Sequence, residues 1–163
     1  MRVLFIALVL FVAGCATAPP IDMANTDPSM TPDRAVADPD MARGQRVAWG
    51  GTVVNTRNLK EVTEIEVLGY SLAKNGRPEI TGNPQRRFLL VHPGYLEPAD
   101  YRSGRVVSVT GVVGSNRQGT VGEAPYVYPV LQAEQIYVWP INEEVRRNPN
   151  VNFGIGVGVI FGR

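Results

Sequence analysis

Between residues 46 and 140 the chain runs in short stretches of β-branched and aromatic residues, each cut off by a cluster of turn formers. This pattern restricts the chain to an all-β fold, because no stretch holds a helical apolar period for long enough to bury a helix face. The spacing predicts strands over 47–56, 62–72, 87–92, 105–114 and 130–139. The second run alternates, with Glu64 and Glu66 facing one way and Ile65 and Val67 the other. After Gly69 the apolar side switches to Leu68, Tyr70 and Leu72, which predicts a bulge or bend there. Asn75-Gly76-Arg77-Pro78 and Gly82-Asn83-Pro84 read as turns, Glu97 to Tyr101 as one short helical turn, and Ser115 to Gly119 as a hairpin loop. Five strands, a glycine-bent first half and a short insert before the fourth strand predict a small five- to six-stranded OB-like barrel. A two-sheet sandwich is the alternative.

The chain outside this region has a different character. Met1-Arg2 precedes an uninterrupted apolar run from Val3 to Ala13, eleven residues long. A helix crossing a bilayer core takes about 20 residues, so this run has the length of a signal-peptide core instead. It ends in Val12-Ala13-Gly14-Cys15, small residues before a cysteine, which resembles the lipobox of bacterial lipoproteins. On this reading residues 1–14 are removed and the Cys15 thiolate takes a diacylglyceryl group, with a third chain added to the freed amine. Cys15 is the only cysteine in 163 residues, so no intramolecular disulfide exists to account for it. At about 0.8 kcal/mol per buried CH₂, one acyl chain holds marginally and two or more hold stably. In lipoproteins of this type an aspartate after the cysteine retains the chain at the inner membrane. Ala16 stands there, which predicts sorting to the outer membrane with the folded part facing the periplasm.

Residues 16–43 read as a disordered tether. Five prolines (Pro19, Pro20, Pro28, Pro32, Pro39) and five aspartates (Asp22, Asp27, Asp33, Asp38, Asp40) fall in it, without apolar periodicity. A flexible link of that length has a reach of about 30 Å. At the other end, residues 141–163 form a glycine-rich extension in which Gly154, Gly156 and Gly158 alternate with Ile155, Val157 and Val159. It reads as an added strand that docks on the barrel edge, or as a strand that contacts a partner or the membrane.

Charge excludes one class of partner. The chain has 16 basic and 15 acidic residues, and loss of Arg2 with the leader leaves 15 of each. Nucleic-acid binders carry a strong basic excess, so no nucleic-acid partner is expected. His92 is the only histidine and lacks nearby Cys or His partners for a metal, so neither a metal nor another cofactor is expected. Glu64 and Glu66 share a strand face, the usual mark of a solvated surface, and no catalytic residue is assigned. The candidate binding surface comprises Trp49, Glu123, Tyr126 and Tyr128. Trp49-Gly50-Gly51 suits either ring-over-backbone packing or a stacking platform. Glu123 reads as a carboxylate that pins a loop, or as part of a polar pocket. Arg86, Arg87, Arg102 and Arg105 pair with Glu97, Asp100 or Glu123, or else form an anion-binding rim.

Several segments together resemble a known family. Arg46-Val47-Ala48-Trp49-Gly50-Gly51 resembles the opening motif of the Slp family of starvation-inducible outer-membrane lipoproteins. Thr63 to Leu68 with Tyr70-Ser71-Leu72, then Gly76-Arg77-Pro78, Arg87-Phe88-Leu89, Gly94 to Tyr101, Gly104-Arg105 through Gly111, Gly122-Glu123 with Tyr126 to Val130, and Trp139-Pro140 continue the series. The resemblance covers residues 44–140 and the lipobox, while the tail after Pro140 departs from it. It implies an outer-membrane lipoprotein associated with starvation or stationary phase, and it supplies no catalytic residues. The expected function is therefore a non-enzymatic envelope lipoprotein that acts by contact with an envelope protein or the cell wall. A small-ligand or glycan-binding barrel using Trp49, Tyr126 and Tyr128 is the alternative.

Overall fold

The computed structural model describes residues 20–141. The order is α1 (Pro32–Ala37), α2 (Pro39–Ala42), β1 (Arg46–Asn58), β2 (Val62–Gly69), β3 (Arg87–Pro93), β4 (Val106–Val113), β5 (Arg117–Val121), β6 (Ala124–Tyr128) and β7 (Val130–Val138). Five strands close a barrel in the order β1-β2-β3-β7-β4. All pairs are antiparallel except β3–β7, where Leu89, Leu90 and Val91 run alongside Val130, Leu131 and Gln132. This is the Greek-key order of an OB-like barrel, as the strand spacing predicts.

Alternation fills the interior. Val47, Trp49 and Val53 of β1, Ile65 and Val67 of β2, Phe88 and Leu90 of β3, Val107, Val109 and Val113 of β4, and Leu131 of β7 form one buried cluster. Their intervening neighbours face outward, as the two-residue strand period requires. The ring of Trp49 meets Phe88 edge-on, with centroids 5.3 Å apart.

The strand irregularity differs from the one expected after Gly69. It lies on β1, between Val53 and Asn55, opposite Val67 and Glu66. Gly51 sits opposite Gly69, and a Cβ on Gly51 would overlap the Leu68 carbonyl. The glycine therefore permits a close strand approach, and Tyr70 to Leu72 leave the sheet to begin the β2–β3 loop.

The expected tether is narrowed. Residues 20–43 are ordered on the barrel, with Ile21, Met30, Ala35 and Ala42 buried. Pro32 and Pro39 start helices here rather than break them. Thr31 caps α1, its side chain accepting from the Arg34 N–H at 3.3 Å, with Pro32 in the first turn. Asp38 caps α2 in the same way through the Met41 N–H at 3.2 Å, with Pro39 following. Proline at the first helical position loses no hydrogen bond and has its φ already set. Met30, Ala35 and Ala42 plug the barrel end where β1 begins and β4 ends, and the Gly44 N–H donates to the Val113 carbonyl at 2.9 Å. The signal peptide, Cys15 and the glycine-rich tail from residue 142 onward lie outside the described residues.

Candidate functional site

The outer face of β2 and β3 departs most from expectation. Residues 117–128 form a two-stranded hairpin, β5–β6, that turns at Gly122 with φ +59°. The hairpin lies over this face and buries Leu89, Val91, Tyr128 and Val130, with Val62, Val121 and Tyr126 packed alongside. Ser115 to Gly119, read as a hairpin loop, instead leads into β5, because Arg117 to Thr120 are exposed and polar and only Val121 packs against the cluster, which leaves no strand pattern to see.

Under the hairpin, the two carboxylates read as solvated are both engaged. Glu64 is 2% exposed, and it accepts from Arg57, its cross-strand partner on β1, and from Arg117 at the start of the hairpin. A carboxylate removed from water needs such charged donors to offset its desolvation. Glu66 accepts from Arg87 Nη1 at 2.8 Å and lies 3.2 Å from the Tyr128 hydroxyl, which also donates to the Thr120 carbonyl at 2.9 Å. Burial, and then the negative charge of Glu66, push the Tyr128 phenol above its ordinary value. The Tyr126 hydroxyl accepts from the Arg87 N–H at 2.9 Å, and the Arg86 guanidinium sits 5.1 Å from the centre of the Tyr126 ring.

The four residues of the candidate surface are not brought together. Trp49 lies in the inner cluster, 4% exposed, its indole N–H donating to the Met30 carbonyl at 2.7 Å. Tyr126 and Tyr128, with rings 4.7 Å apart, lie on the outer face under the hairpin. Phe88 and Leu89, adjacent on β3, contact the two groups from opposite sides of the sheet. Glu123 is exposed at the hairpin tip, and its side chain makes no hydrogen bond or ion pair among the described residues.

The other candidates separate in the same way. His92 stands opposite Thr63 near the end of β3, and among the described residues no group of three His, Cys, Asp or Glu side chains is placed to hold a metal. Arg86 pairs with Asp33 at 3.4 Å and Arg87 with Glu66, rather than with Glu97, Asp100 or Glu123. Arg102 and Arg105 form no ion pair among the described residues.

Beside Trp49 lies a concave feature that strand pattern does not indicate. A groove of about 430 Å³ opens between the N-terminal segment and the β2–β3 loop, bordered by Met23, Met30, Trp49, Tyr70 and Leu72. Its volume falls within the range of small-molecule sites. The sequence held no signal for it, because one wall comes from the segment read as tether.

Sequence comparison places these features among known proteins. The model of the family described as "Outer membrane lipoprotein Slp family" matches residues 12–156, which runs past the end of the motifs into the tail. The chain is 28% identical over 156 residues to "Outer membrane protein Slp" of Escherichia coli (strain K12), covering 94% of this chain and 82% of that protein. It is 30% identical over 142 residues to "Uncharacterized lipoprotein YeaY" of the same organism, covering 86% and 72%. A small single-stranded DNA-binding protein from Streptomyces coelicolor aligns in structure over 60% of this chain and 95% of its own. That match has 13% identity and a TM-score of 0.34, too slight a likeness to carry an assignment.

Proposed function

The chain belongs to the outer membrane lipoprotein Slp family, and on that premise we propose that it is a non-enzymatic envelope protein, anchored through acylated Cys15, that acts by contact with an envelope partner. The observation that carries this reading is the closure of the β2–β3 face. OB barrels take their ligands on that face and its flanking loops. Here the chain's own hairpin occupies it, and the carboxylates beneath are neutralised by Arg57, Arg117 and Arg87. The partner is an envelope protein or the cell wall, and the contact belongs to starvation or stationary phase.

The ordered N-terminal segment also sets the distance to the membrane. Cys15 precedes Pro20 by five residues, which span at most about 18 Å when fully extended. The barrel is then held close to the periplasmic face of the outer membrane, not out on a long stalk. At the barrel end opposite the N-terminal cap, Leu59 and Tyr95 are 52% and 67% exposed. Their loops are joined by the Gly94 N–H to the Glu61 carbonyl at 2.8 Å and by Asn58 Nδ2 to the Leu96 carbonyl at 3.1 Å.

The test is in-cell photo-crosslinking from Leu59, Tyr95 and Tyr70 in turn, with the anchor intact, in growing and in starved cells. Discrete adducts to one envelope protein or to wall fragments, stronger in starved cells, are the expected result. Absence of adducts from all three positions in both conditions refutes the contact role. A second reading, binding of a small ligand, is favoured by the groove beside Trp49. It predicts that the groove variant Leu72→Trp loses retention of a radiolabelled wall-glycan fragment that the unaltered protein holds in equilibrium dialysis; equal retention by both refutes it.

A further inference from the structure

Where β4 begins and β7 ends, three arginines converge in a depression with no acid among the described residues that line it. Arg77 from the β2–β3 loop and Arg102 and Arg105 from the β3–β4 connection line a depression of about 400 Å³ with Trp139, Ile80 and Ile141. None of the three pairs with a carboxylate among the described residues. The Arg77 guanidinium lies 5.1 Å from the centre of the Trp139 ring, which fixes it over the aromatic face. Arg105 donates through Nη2 to the Trp139 carbonyl at 3.3 Å, while its Nε has no hydrogen-bond partner among the described residues. Planar guanidiniums with free N–H groups match phosphate oxygens in charge and geometry.

Two further observations say where that phosphate comes from. Ile80 and Ile141, which line the same depression, are 46% and 55% exposed, so aliphatic side chains stand at the rim beside the cations. That combination suits a lipid interface, where apolar side chains enter between headgroups and guanidiniums meet the phosphates. In addition, the loop that supplies Arg77 and Ile80 meets Ile21 at Gly76, where a Cβ would lie 3.4 Å from Ile21 Cγ1. Ile21 is six residues after Cys15.

We propose that this arginine depression seats the phosphate of an anionic phospholipid headgroup in the leaflet that holds the chain's own acyl chains, and so fixes how the barrel sits on the membrane. The inference rests on the Cys15 anchor described above. Each basic residue near an anionic surface contributes roughly 1 kcal/mol, about fivefold in binding.

The test uses the mature chain with Cys15→Ser, which removes the acyl chains and leaves the surface to bind alone. It is floated with vesicles of phosphatidylcholine, and with vesicles of phosphatidylcholine and phosphatidylglycerol in equal parts. Binding is expected to the anionic vesicles only and to fall with salt. Arg77→Gln and Arg102→Gln should each weaken it about fivefold, and Arg77→Lys with Arg102→Lys should retain most of it, which separates charge from folding. Lys60→Gln, in the β1–β2 turn, should leave it unchanged. Equal losses from Lys60→Gln and Arg102→Gln would mean diffuse attraction and overturn the proposal. Saturation of the same arginines by soluble glycerol phosphate, at an affinity matching that for vesicles, overturns the membrane as the source. A rise of tenfold or more in Glu143→Gln/Glu144→Gln overturns it in favour of the chain's own carboxylates as occupants. Palmitate labelling of the unaltered chain, lost on Cys15→Ser, reads the anchor separately, so a missing anchor and a missing phosphate seat are told apart.

Discussion

Removing both arginines from Glu64 should cost more than the sum of removing each. The carboxylate is 2% exposed, whereas the Arg57 and Arg117 side chains are 61% and 49% exposed and reach it from solvent. With one arginine gone, the other still neutralises the charge. Each single change to alanine should therefore cost only about 1 kcal/mol, a charged hydrogen bond discounted for the exposure of its donor. With both gone, an ionised carboxylate is left under the hairpin without a counter-charge, a situation that costs about 3–5 kcal/mol. The expected coupling is thus about 1–3 kcal/mol beyond additivity, which a double-mutant cycle resolves. Adding Glu64→Leu to the double variant removes the stranded charge and should recover most of the loss, since Leu89, Val91 and Tyr128 already make the surroundings apolar. The assay is urea unfolding of the mature chain at neutral pH for all five proteins. Simple additivity of the two arginine changes, or a triple variant no more stable than the double, would refute the reasoning.

Three further outcomes follow from packing and ionisation. Gly51→Ala should destabilise by about 2 kcal/mol or more, because its Cβ would overlap the Leu68 carbonyl and only backbone movement relieves that; urea unfolding checks this, with the exposed Gly94→Ala as a comparison for strain at positive φ alone. Trp49→Phe should cost about 2 kcal/mol by leaving the Met30 carbonyl without its donor, and limited proteolysis should cut residues 20–43 faster than the barrel. Tyr128 has its folded-state pKa raised, by burial first and then by Glu66. Its contribution is therefore complete below the unfolded tyrosine value of about 10 and is lost as pH rises through the folded value. Tyr128→Phe should flatten the fall in urea midpoint above about pH 10, and an unchanged slope would show that the phenol does not carry it.

The barrel strands, and the inward faces of those that alternate, are legible in the sequence. Val, Ile and Phe at every second position can satisfy both water and the core only as half-buried strands, and the turn clusters set where each strand ends. Ile65 and Val67, and Val107, Val109 and Val113, were readable as one face on that basis, as was membership in a family carried by short ordered motifs; the unbroken apolar run Phe88 to Val91 left its inward face open. The apolar run before Cys15 is likewise a local signal. Features made by surfaces meeting, by contrast, appear only once the chain is folded. Residues 20–43 carry too few apolar side chains to show a period, yet Ile21, Met30, Ala35 and Ala42 find the open end of the barrel and are buried by it. Prolines that break a sheet serve there as first residues of capped helices. Glu64 alternates like any solvent-facing residue, and its burial depends on a polar hairpin more than fifty residues later that brings Arg117 onto it. Arg77, Arg102, Arg105 and Trp139 are brought to one depression by three separate stretches of the chain. Periodicity reports which face of a strand is apolar, but what covers the other face depends on contacts distant in sequence, and no local pattern encodes them.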